Sequence, residues 1–236
     1  MNPDRPEATP FNQADLAAYD KELQQGLALS GENKSYFAQG RLDWLSGRLQ
    51  TRSFPNPSRI LDYGCGGGDT TLLLAQRWPN ARVVGTDPSD TLIAAARRAD
   101  RAGKCEFRPL AAMPQEERFD LIYCNGVFHH IPLDEQPGAL AWIRDRLAPD
   151  GLFSLWENNR WSPAARWVMR RIPFDRDAVM LSPLRARRLL GQAGFRILGC
   201  DFLFFFPHGL RLARAVEPRL CKFPLGAQYQ VLSRRA

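Results

Sequence analysis

The sequence predicts an α/β fold, in which a doubly wound, seven-stranded, mostly parallel sheet is covered by helices on both faces. Short apolar runs of strand length alternate with helical patterns from residue 59 onward. A glycine-rich turn directly follows the first of these runs. The 236 residues are 44% hydrophobic and 24% charged, which is ordinary for a globular domain with a full core. Alternating strands and helices are typical of parallel sheets with crossover connections.

The individual elements follow from apolar spacing and from the turn residues between the runs. We expect strands at residues 59–63, 81–85, 105–110, 119–125 and 152–156, one within 195–206, and a last one at 227–233. We expect the intervening helices at residues 69–77, 90–102, 136–147 and 184–193. Pro149-Asp150-Gly151 is expected to close the third of these helices, and Gly194 to cap the fourth.

The segment ahead of the sheet has a helical pattern of its own. Apolar residues at helical spacing predict one helix between residues 13 and 27, and a second helix from 34 to 49 follows a turn at Ser30-Gly31. Two prolines between Ser53 and Ser58 end the segment. Residues 1–52 are therefore predicted to form a helical cap, with residues 1–12 disordered and without the apolar stretch of a signal peptide.

Composition and charge narrow the classes of function. The five cysteines are scattered without a C-x-x-C spacing, which argues against disulfides and structural zinc and favours the cytoplasm. No acidic cluster has convincing metal-ligand spacing, so we expect no metal. The sequence has no run of about 18 apolar residues, so we expect no membrane span. The net charge of +7 permits nucleic acid, an anionic membrane surface or an acidic substrate as a partner and requires none of them.

The glycine-rich turn separates two classes of nucleoside cofactor. It reads Asp62-Tyr63-Gly64-Cys65-Gly66-Gly67-Gly68 and lies between the first strand and its helix. The dinucleotide fingerprint G-x-G-x-x-G would require glycine at position 69, where Asp69 stands and would face a pyrophosphate poorly. An NAD-dependent reductase is therefore disfavoured. Asp87 ends the second strand about 20 residues beyond the glycines, where a carboxylate can accept both ribose hydroxyls.

The pattern Asp-x-Gly-x-Gly-x-Gly resembles motif I of the class I S-adenosylmethionine-dependent methyltransferases, and the resemblance covers residues 59–156. It implies a Rossmann-like methyltransferase domain at residues 53–236 with S-adenosylmethionine as the cofactor. It also implies that Asp62 lies close to the amino group of the cofactor. The family often has an acid beside the adenine, but this sequence has Leu110 and Ala111 there. The predicted cofactor-binding residues are Asp62, Gly64, Cys65, Gly66, Gly68, Asp87, Pro88, Leu110, Ala111, Asn125 and Val127.

Polar side chains after the fourth and fifth strands are the candidates for catalysis. His129 and His130 fall at a strand-to-helix junction, where one of them could act as a base. The resemblance implies a structural or cofactor-flanking role as the commoner alternative. After the fifth strand we expect Glu157, Asn158 and Asn159 to point at the cleft, with Glu157 as a base or substrate ligand and Asn158 orienting the acceptor. A capped turn is the alternative interpretation of this trio. The predicted catalytic residues are His129, His130, Glu157 and Asn158.

The methyl acceptor is expected to bind in the part of the chain that resembles the family least. Residues 157–183 carry two tryptophans and several arginines, and the resemblance implies an inserted lid after the fifth strand. The tryptophans could form the core of this lid, bind an aromatic or lipid-like acceptor, or rest on an anionic membrane surface. The N-terminal helices are expected to cover the other side of the cofactor.

Three functions remain as hypotheses. The first is methyl transfer to an O or N atom of a small-molecule acceptor. The second is nucleic-acid methylation, which is disfavoured because Asn125-Gly126-Val127 replaces the Asn/Asp-Pro-Pro-aromatic run of amino-methylating enzymes, and Cys124 lacks a preceding proline. The third is a nucleoside-cofactor binding protein without catalysis. The sequence leaves the acceptor and the oligomeric state open.

Overall fold

A computed structural model describes Leu27, residues 30–169 and residues 180–236. The predicted helix ahead of Leu27 and residues 170–179 of the predicted lid lie outside the described residues. The strands are β1 Arg59–Tyr63, β2 Arg82–Asp87, β3 Cys105–Pro109, β4 Phe119–Asn125, β5 Leu147–Asn158, β6 Phe195–Leu203 and β7 Gln228–Arg235. The helices are α1 Lys34–Thr51, α2 Asp69–Arg77, α3 Asp90–Ala99, α4 Gln136–Asp145, α5 Pro163–Met169, α6 Pro183–Gln192 and α7 Glu217–Leu220, with 3-10 turns at Leu110–Ala112 and His208–Val216.

The seven strands form one sheet in the order β3-β2-β1-β4-β5-β7-β6. The neighbours from β3 to β5 are parallel, whereas β7 lies antiparallel to both β5 and β6. This arrangement confirms the predicted seven-stranded, mostly parallel sheet. The order reverses beside β1, so the carboxyl ends of β1, β2 and β4 surround the crevice where ligands of such sheets bind.

Helices cover both faces of the sheet, as the doubly wound prediction requires. On one face α4 and α6 pack against β1, β4 and β5 through residues such as Leu140 and Leu190. On the other face α1 and α2 pack through Leu45 and Leu74. Helix α1 therefore shares the core on this face of the sheet. The predicted division of the chain at residue 52 stays a prediction.

One predicted turn is wrong. Helix α4 ends at Asp145, and Pro149-Asp150-Gly151, expected to be a turn, lies within β5. The register of β4 against β5 jumps from the pair Phe119–Leu147 to the pair Leu121–Leu152, so the strand accommodates the extra residues as a bulge. Pro149 and Asp150 are exposed there, which suits residues that contribute no ladder hydrogen bond. Among the helices in the described part of the chain, none has the length and apolar character needed to cross a membrane.

Candidate cofactor and acceptor site

The glycine-rich loop joins β1 to α2 in a conformation that depends on glycine. Gly64, Gly66 and Gly68 have φ angles of 74°, 54° and 88°, in the left-handed region that side chains disfavour. The backbone amides of Gly64 and Cys65 donate to the Thr86 carbonyl at 2.8 and 2.9 Å, which ties the loop to the end of β2.

The glycines face different surroundings. A Cβ atom on Gly64 would lie 2.4 Å from Val127 Cγ2, so this position is closed by packing against the segment after β4. Apart from its two chain neighbours, none of the residues that the structure describes has an atom within 4 Å of a Cβ placed on Gly66. The backbone of Gly66 therefore borders open space, as a loop that cradles a ligand must.

Asp87 stands beside this loop at the end of β2. Its Oδ2 accepts a hydrogen bond from the Gly66 amide at 3.1 Å, and its Oδ1 accepts one from the Ser89 amide at 2.9 Å. Burial raises the pKa of this carboxyl, and the two backbone donors act in the opposite direction. Each carboxylate oxygen keeps a second lone pair, so the pair of oxygens can accept two neighbouring hydroxyl groups.

Asp62 lies deeper, with 2% of its surface exposed. Its Oδ2 accepts a hydrogen bond from Thr71 Oγ1 at 2.7 Å, which joins the end of β1 to α2. Burial raises its pKa to about 7, the Thr71 hydroxyl opposes this shift, and the nearby Asp87 adds to it. The group therefore exchanges a proton near neutral pH.

The other predicted cofactor residues are spread around this centre. Asn125 lies on the wall of a large cavity, Val127 packs against Gly64, and the Cys65 thiol is buried against Phe107. Pro88 is exposed directly after Asp87. Leu110 and Ala111 form a 3-10 turn after β3 and line a separate polar depression with Trp142 and Arg146.

A cavity of about 840 Å³ lies next to the loop. Its wall is built from the first half of α1, the exposed face of α2, the ends of β4 and β5, helix α5 and the segment after β6. Most of the lining is apolar, and Tyr36, Phe37 and Phe204 form one aromatic cluster, with ring centroids 5.0–6.0 Å apart. Trp167 of α5, in the predicted lid, also lines the cavity. The inserted lid as a whole stays a prediction.

His129 and Glu157 form a buried pair at the floor of the cavity. His129 Nδ1 lies 2.6 Å from Glu157 Oε2, and the Phe128 amide donates to Glu157 Oε1 at 2.9 Å. The Glu157 side chain is 1% exposed, whereas part of His129 reaches the cavity wall. Both carboxylate oxygens are thus used to hold the imidazole and its backbone in place. His130 is exposed, and its ring is tilted by 51° against that of His129, with the ring centroids 4.1 Å apart.

We expected three polar side chains after β5 to point at the cleft, and this is wrong for Glu157 and Asn159, which are buried. Side chains alternate along a strand, so Glu157 and Asn158 point to opposite faces. Asn158 lines the cavity, and its Oδ1 accepts a hydrogen bond from Gln228 Nε2 at 3.1 Å. Asn159 is buried, and it fixes the turn before α5 through the carbonyls of Pro224 and Gly226 and the amide of Trp161. The capped turn therefore describes Asn159 correctly.

Two residues of the cavity wall, Arg41 and Gln228, and the buried Tyr123 behind them were missed from the sequence. Arg41 Nε donates to the Tyr123 hydroxyl at 3.0 Å, and its Nη1 donates to Gln228 Oε1 at 2.9 Å. One signal was visible in the sequence, because Arg41 occupies the apolar stripe that Ala38 and Leu45 mark on α1. A charged residue on a buried stripe deserves a partner or a function.

This combination of a glycine loop at the switch point of a mostly parallel seven-stranded sheet, an acidic residue after β2 and an adjoining cavity defines the class I S-adenosylmethionine-dependent methyltransferases. Comparison with known proteins agrees. The model of a family described as methyltransferase domain matches residues 34–199. The chain belongs to this family of methyltransferases.

Two curated relatives are trans-aconitate 2-methyltransferases. The protein of Variovorax paradoxus (strain S110) is 38% identical over 120 residues, which cover 50% of this chain and 45% of the relative. The protein of Streptomyces coelicolor is 36% identical over 129 residues, covering 51% of this chain and 41% of the relative. The matched region therefore spans less than half the length of these two relatives.

Solved structures show the same fold at low sequence identity. The magnesium protoporphyrin IX methyltransferase of Synechocystis PCC 6803 with bound SAH superposes with a TM-score of 0.63 at 17% identity, covering 96% of both chains. A TehB-like SAM-dependent methyltransferase from Corynebacterium glutamicum superposes with a TM-score of 0.58 at 21% identity, covering 94% of this chain and all of that one.

Proposed function

We propose that this chain is an enzyme that transfers the methyl group of S-adenosylmethionine to an oxygen or nitrogen atom of a small-molecule acceptor. The observation that carries the proposal is the position of the cavity. Its lining runs from Asp69 and Thr70, which directly follow the glycine loop, to Asn125 and His129, so an acceptor within it would lie next to a cofactor held by the loop. A volume of about 840 Å³ suits a small organic molecule.

The residues of the loop fit the cofactor. The open space beside Gly66 leaves room for a ligand to contact the loop backbone, and Asp87 offers two oxygens to the ribose hydroxyls. Asp62 lies below the loop, where its carboxylate would favour the cofactor ammonium group. When bound, S-adenosylmethionine supplies an electrophilic methyl group, and the protein must align the acceptor and exclude water.

The pair of His129 and Glu157 supports a role in proton transfer. With Glu157 ionised, His129 donates through Nδ1, and Nε2 becomes the basic nitrogen of the ring. Nε2 would then accept the proton of a hydroxyl or amine acceptor, while Glu157 acts as the positioning residue that sets the tautomer and stabilises the imidazolium. A carboxylate acceptor, which is already ionised at neutral pH, would need no such base.

The names of the curated relatives support small organic acids as the first acceptors to screen. Those proteins are named for trans-aconitate, and the matches cover about half of this chain, 50% and 51%. We therefore include carboxylic acids, phenols and amines in the acceptor set. All five cysteines of the chain are free thiols, which supports a reducing compartment such as the cytoplasm.

Cofactor binding is tested by calorimetric titration with S-adenosylhomocysteine, using NAD as the competing ligand. We expect micromolar binding of S-adenosylhomocysteine, lost in Asp87→Ala because the ribose hydroxyls lose both acceptors. Asp150→Ala, an exposed aspartate in the bulge of β5, is the matched control and should bind as the wild type does. Binding of NAD without binding of S-adenosylhomocysteine would overturn the proposal.

The proton-transfer role is tested by methyl transfer from labelled cofactor to the acceptor set. For a hydroxyl or amine acceptor we expect His129→Gln to lower kcat by about 100-fold or more, the usual contribution of a general base. Glu157→Gln should lower kcat less and shift the pH profile, and the control His208→Gln should leave both unchanged. Equal kcat values for His129→Gln and the wild type would refute the base. Cofactor binding without turnover on any acceptor would favour a non-catalytic binding protein.

A further inference from the structure

Most of the large apolar side chains that are exposed in the described part of the chain lie in two segments. Residues 204–226 join β6 to β7, and residues 159–169 follow β5 and contain α5. Isolated apolar residues are normal on a protein surface, whereas a cluster of them marks a place where something binds. The exposed members of the first segment are Leu210, Leu212, Val216, Phe223 and Leu225, and those of the second are Trp161 and Trp167.

The two segments are neighbours at one edge of the sheet. Strands β5 and β6 both pair antiparallel with β7, so their carboxyl ends lie at the same edge, which is also the edge of the glycine loop. Asn159 joins the segments, since its side-chain amide donates to the carbonyls of Pro224 and Gly226 at 3.0 and 2.8 Å. Its backbone amide donates to the Ala227 carbonyl at 2.9 Å. We call these two segments together the edge patch.

The backbone beneath the edge patch is held in place by β6. The Phe202 amide donates to the Cys221 carbonyl at 2.7 Å. A Cβ atom on Gly226 would lie 2.5 Å from the Leu203 carbonyl oxygen, so the chain before β7 is pressed against the end of β6. The apolar side chains are therefore presented to solvent by a fixed backbone, and Leu212 has 91% of its surface exposed.

The exposed charged side chains of the edge patch are all basic. Glu217, its acidic residue, is occupied by the protein itself, because Oε1 accepts hydrogen bonds from the amides of Phe205 and Phe206 at 3.1 and 2.9 Å. Lys222 pairs with Asp201. The four exposed arginines form no ion pair with a carboxylate in the described ranges, so they leave the patch with a net positive charge. They are Arg160, Arg166, Arg211 and Arg219.

We propose that the edge patch docks the enzyme on the surface of an anionic phospholipid membrane. Leucine, phenylalanine and tryptophan side chains enter the boundary between headgroups and acyl chains, and the arginines contact lipid phosphates. This surface fits a membrane better than it fits a second copy of the chain, since a symmetric contact would bring the same arginines face to face.

Docking of this kind turns the acceptor cavity toward the bilayer. The cavity wall includes Phe206 and Pro207 from one segment of the edge patch and Ala164, Trp167 and Val168 from the other. An acceptor dissolved in the membrane would therefore reach the cavity without crossing water. This consequence rests on the proposed function, whereas the docking itself does not.

Sedimentation of the full chain with vesicles of phosphatidylcholine, with and without phosphatidylglycerol, tests the docking. The wild type should bind the vesicles that contain phosphatidylglycerol, and added salt should weaken this binding. Leu212→Gln/Phe223→Gln should lower the partition coefficient by about tenfold or more, because both apolar side chains leave the lipid. Arg211→Gln/Arg219→Gln should lower it by about 25-fold, at about fivefold per arginine.

A matched control removes the same charge from the opposite edge of the sheet. Arg101 precedes β3 and Arg196 lies at the start of β6, and both are exposed. Arg101→Gln/Arg196→Gln should bind the vesicles as the wild type does. Thermal unfolding and S-adenosylhomocysteine binding should be unchanged in all three double variants, since none of these residues lines the cavity. Equal losses in the control and in the arginine variant of the edge patch would refute the patch as the docking surface.

Tryptophan fluorescence tests the orientation. Brominated phosphatidylcholine in the same vesicles should quench the wild type, and Trp161→Phe/Trp167→Phe should lose this quenching because its exposed tryptophans are gone. Full quenching of that variant would mean that another surface meets the membrane. A wild type that stays off vesicles with phosphatidylglycerol refutes the docking, as does a dimer in light scattering that Leu212→Gln/Phe223→Gln dissociates. A chain that docks without binding S-adenosylhomocysteine supports the docking and overturns the proposed function.

Discussion

Gly64 and Gly66 lie two residues apart in the same loop, and replacing each with alanine should have different consequences. Both have positive φ angles, so an alanine at either position bears a conformational cost of about 1–2 kcal/mol. Only Gly64 is also closed sterically, because its Cβ would lie 2.4 Å from Cγ2 and 3.0 Å from Cγ1 of Val127. Overpacking of this kind adds about 1–3 kcal/mol.

We therefore expect Gly64→Ala to lower the free energy of unfolding by about 2–5 kcal/mol, and Gly66→Ala by about 1–2 kcal/mol. Urea unfolding measures both. Gly66→Ala should in addition weaken S-adenosylhomocysteine binding, because the methyl group of the new alanine enters the open space beside the loop. Val127→Ala removes the two methyl groups that collide with residue 64, so in a double-mutant cycle the pair should recover about 1–3 kcal/mol relative to additivity.

The outcome that refutes this reasoning is equal destabilisation by the two alanines, or a double mutant whose effects simply add. Either result would mean that the loop shifts at little cost and that Val127 does not close it. Gly138→Ala is a suitable control. This glycine lies on α4, and beyond its own helix no described residue has an atom within 4 Å of its Cβ position, so alanine there should be neutral or stabilising.

Three further predictions concern stability. The pKa of the Asp62 carboxyl is about 7 in the folded state and about 4 in the unfolded state, so the folded state binds more protons between these values and the free energy of unfolding falls as pH rises from 4 to 7. Asp62→Asn should lack this fall when the free energy of unfolding is measured with urea across that pH range. The prediction is contradicted if the wild type shows as little pH dependence as the variant. The buried Glu117 carboxylate lies 3.5, 2.5 and 2.9 Å from Arg59, Arg82 and Arg108. Glu117→Ala should therefore lower the free energy of unfolding by about 1–3 kcal/mol, a range reduced because the arginines are partly exposed. Glu116→Ala, at the exposed neighbouring position, should change the free energy of unfolding by less than about 0.5 kcal/mol. The Tyr229 hydroxyl donates to the buried Leu181 carbonyl at 2.9 Å, so Tyr229→Phe should cost about 1–3 kcal/mol in thermal unfolding, and a neutral result would show that the carbonyl finds another donor.

The sheet and the loop could be predicted because their signals are local. Strand-length apolar runs, helical spacing and four glycines in five positions each concern a few neighbouring residues. The same is true of Asp87, whose role depends on ending a strand soon after the loop. The one wrong turn, at Pro149-Asp150-Gly151, fails for a tertiary reason, since pairing with β4 on either side of this segment, at Leu147 and at Leu152, holds it as a bulge within the strand.

The candidate site beyond the loop depends on contacts between distant parts of the chain. His129 was predicted, but its bond to Glu157 depends on which face of β5 meets the segment after β4. Arg41 reaches Tyr123 and Gln228 across 82 and 187 residues, so no local spacing could reveal that its partners would be neutral.

By itself, the sequence determined the fold class, the cofactor loop and the acidic residue after β2, because periodicity and turn chemistry act over a few residues. The tertiary structure alone decided which polar side chains meet in the cavity. It did so through the register of β4, β5 and β7 and the docking of α1 on the sheet, which bury Glu157 behind His129 and leave Arg41 with neutral protein partners. Burial and charge at these positions arise only when distant segments pack together, and they carry the chemistry that the acceptor will meet.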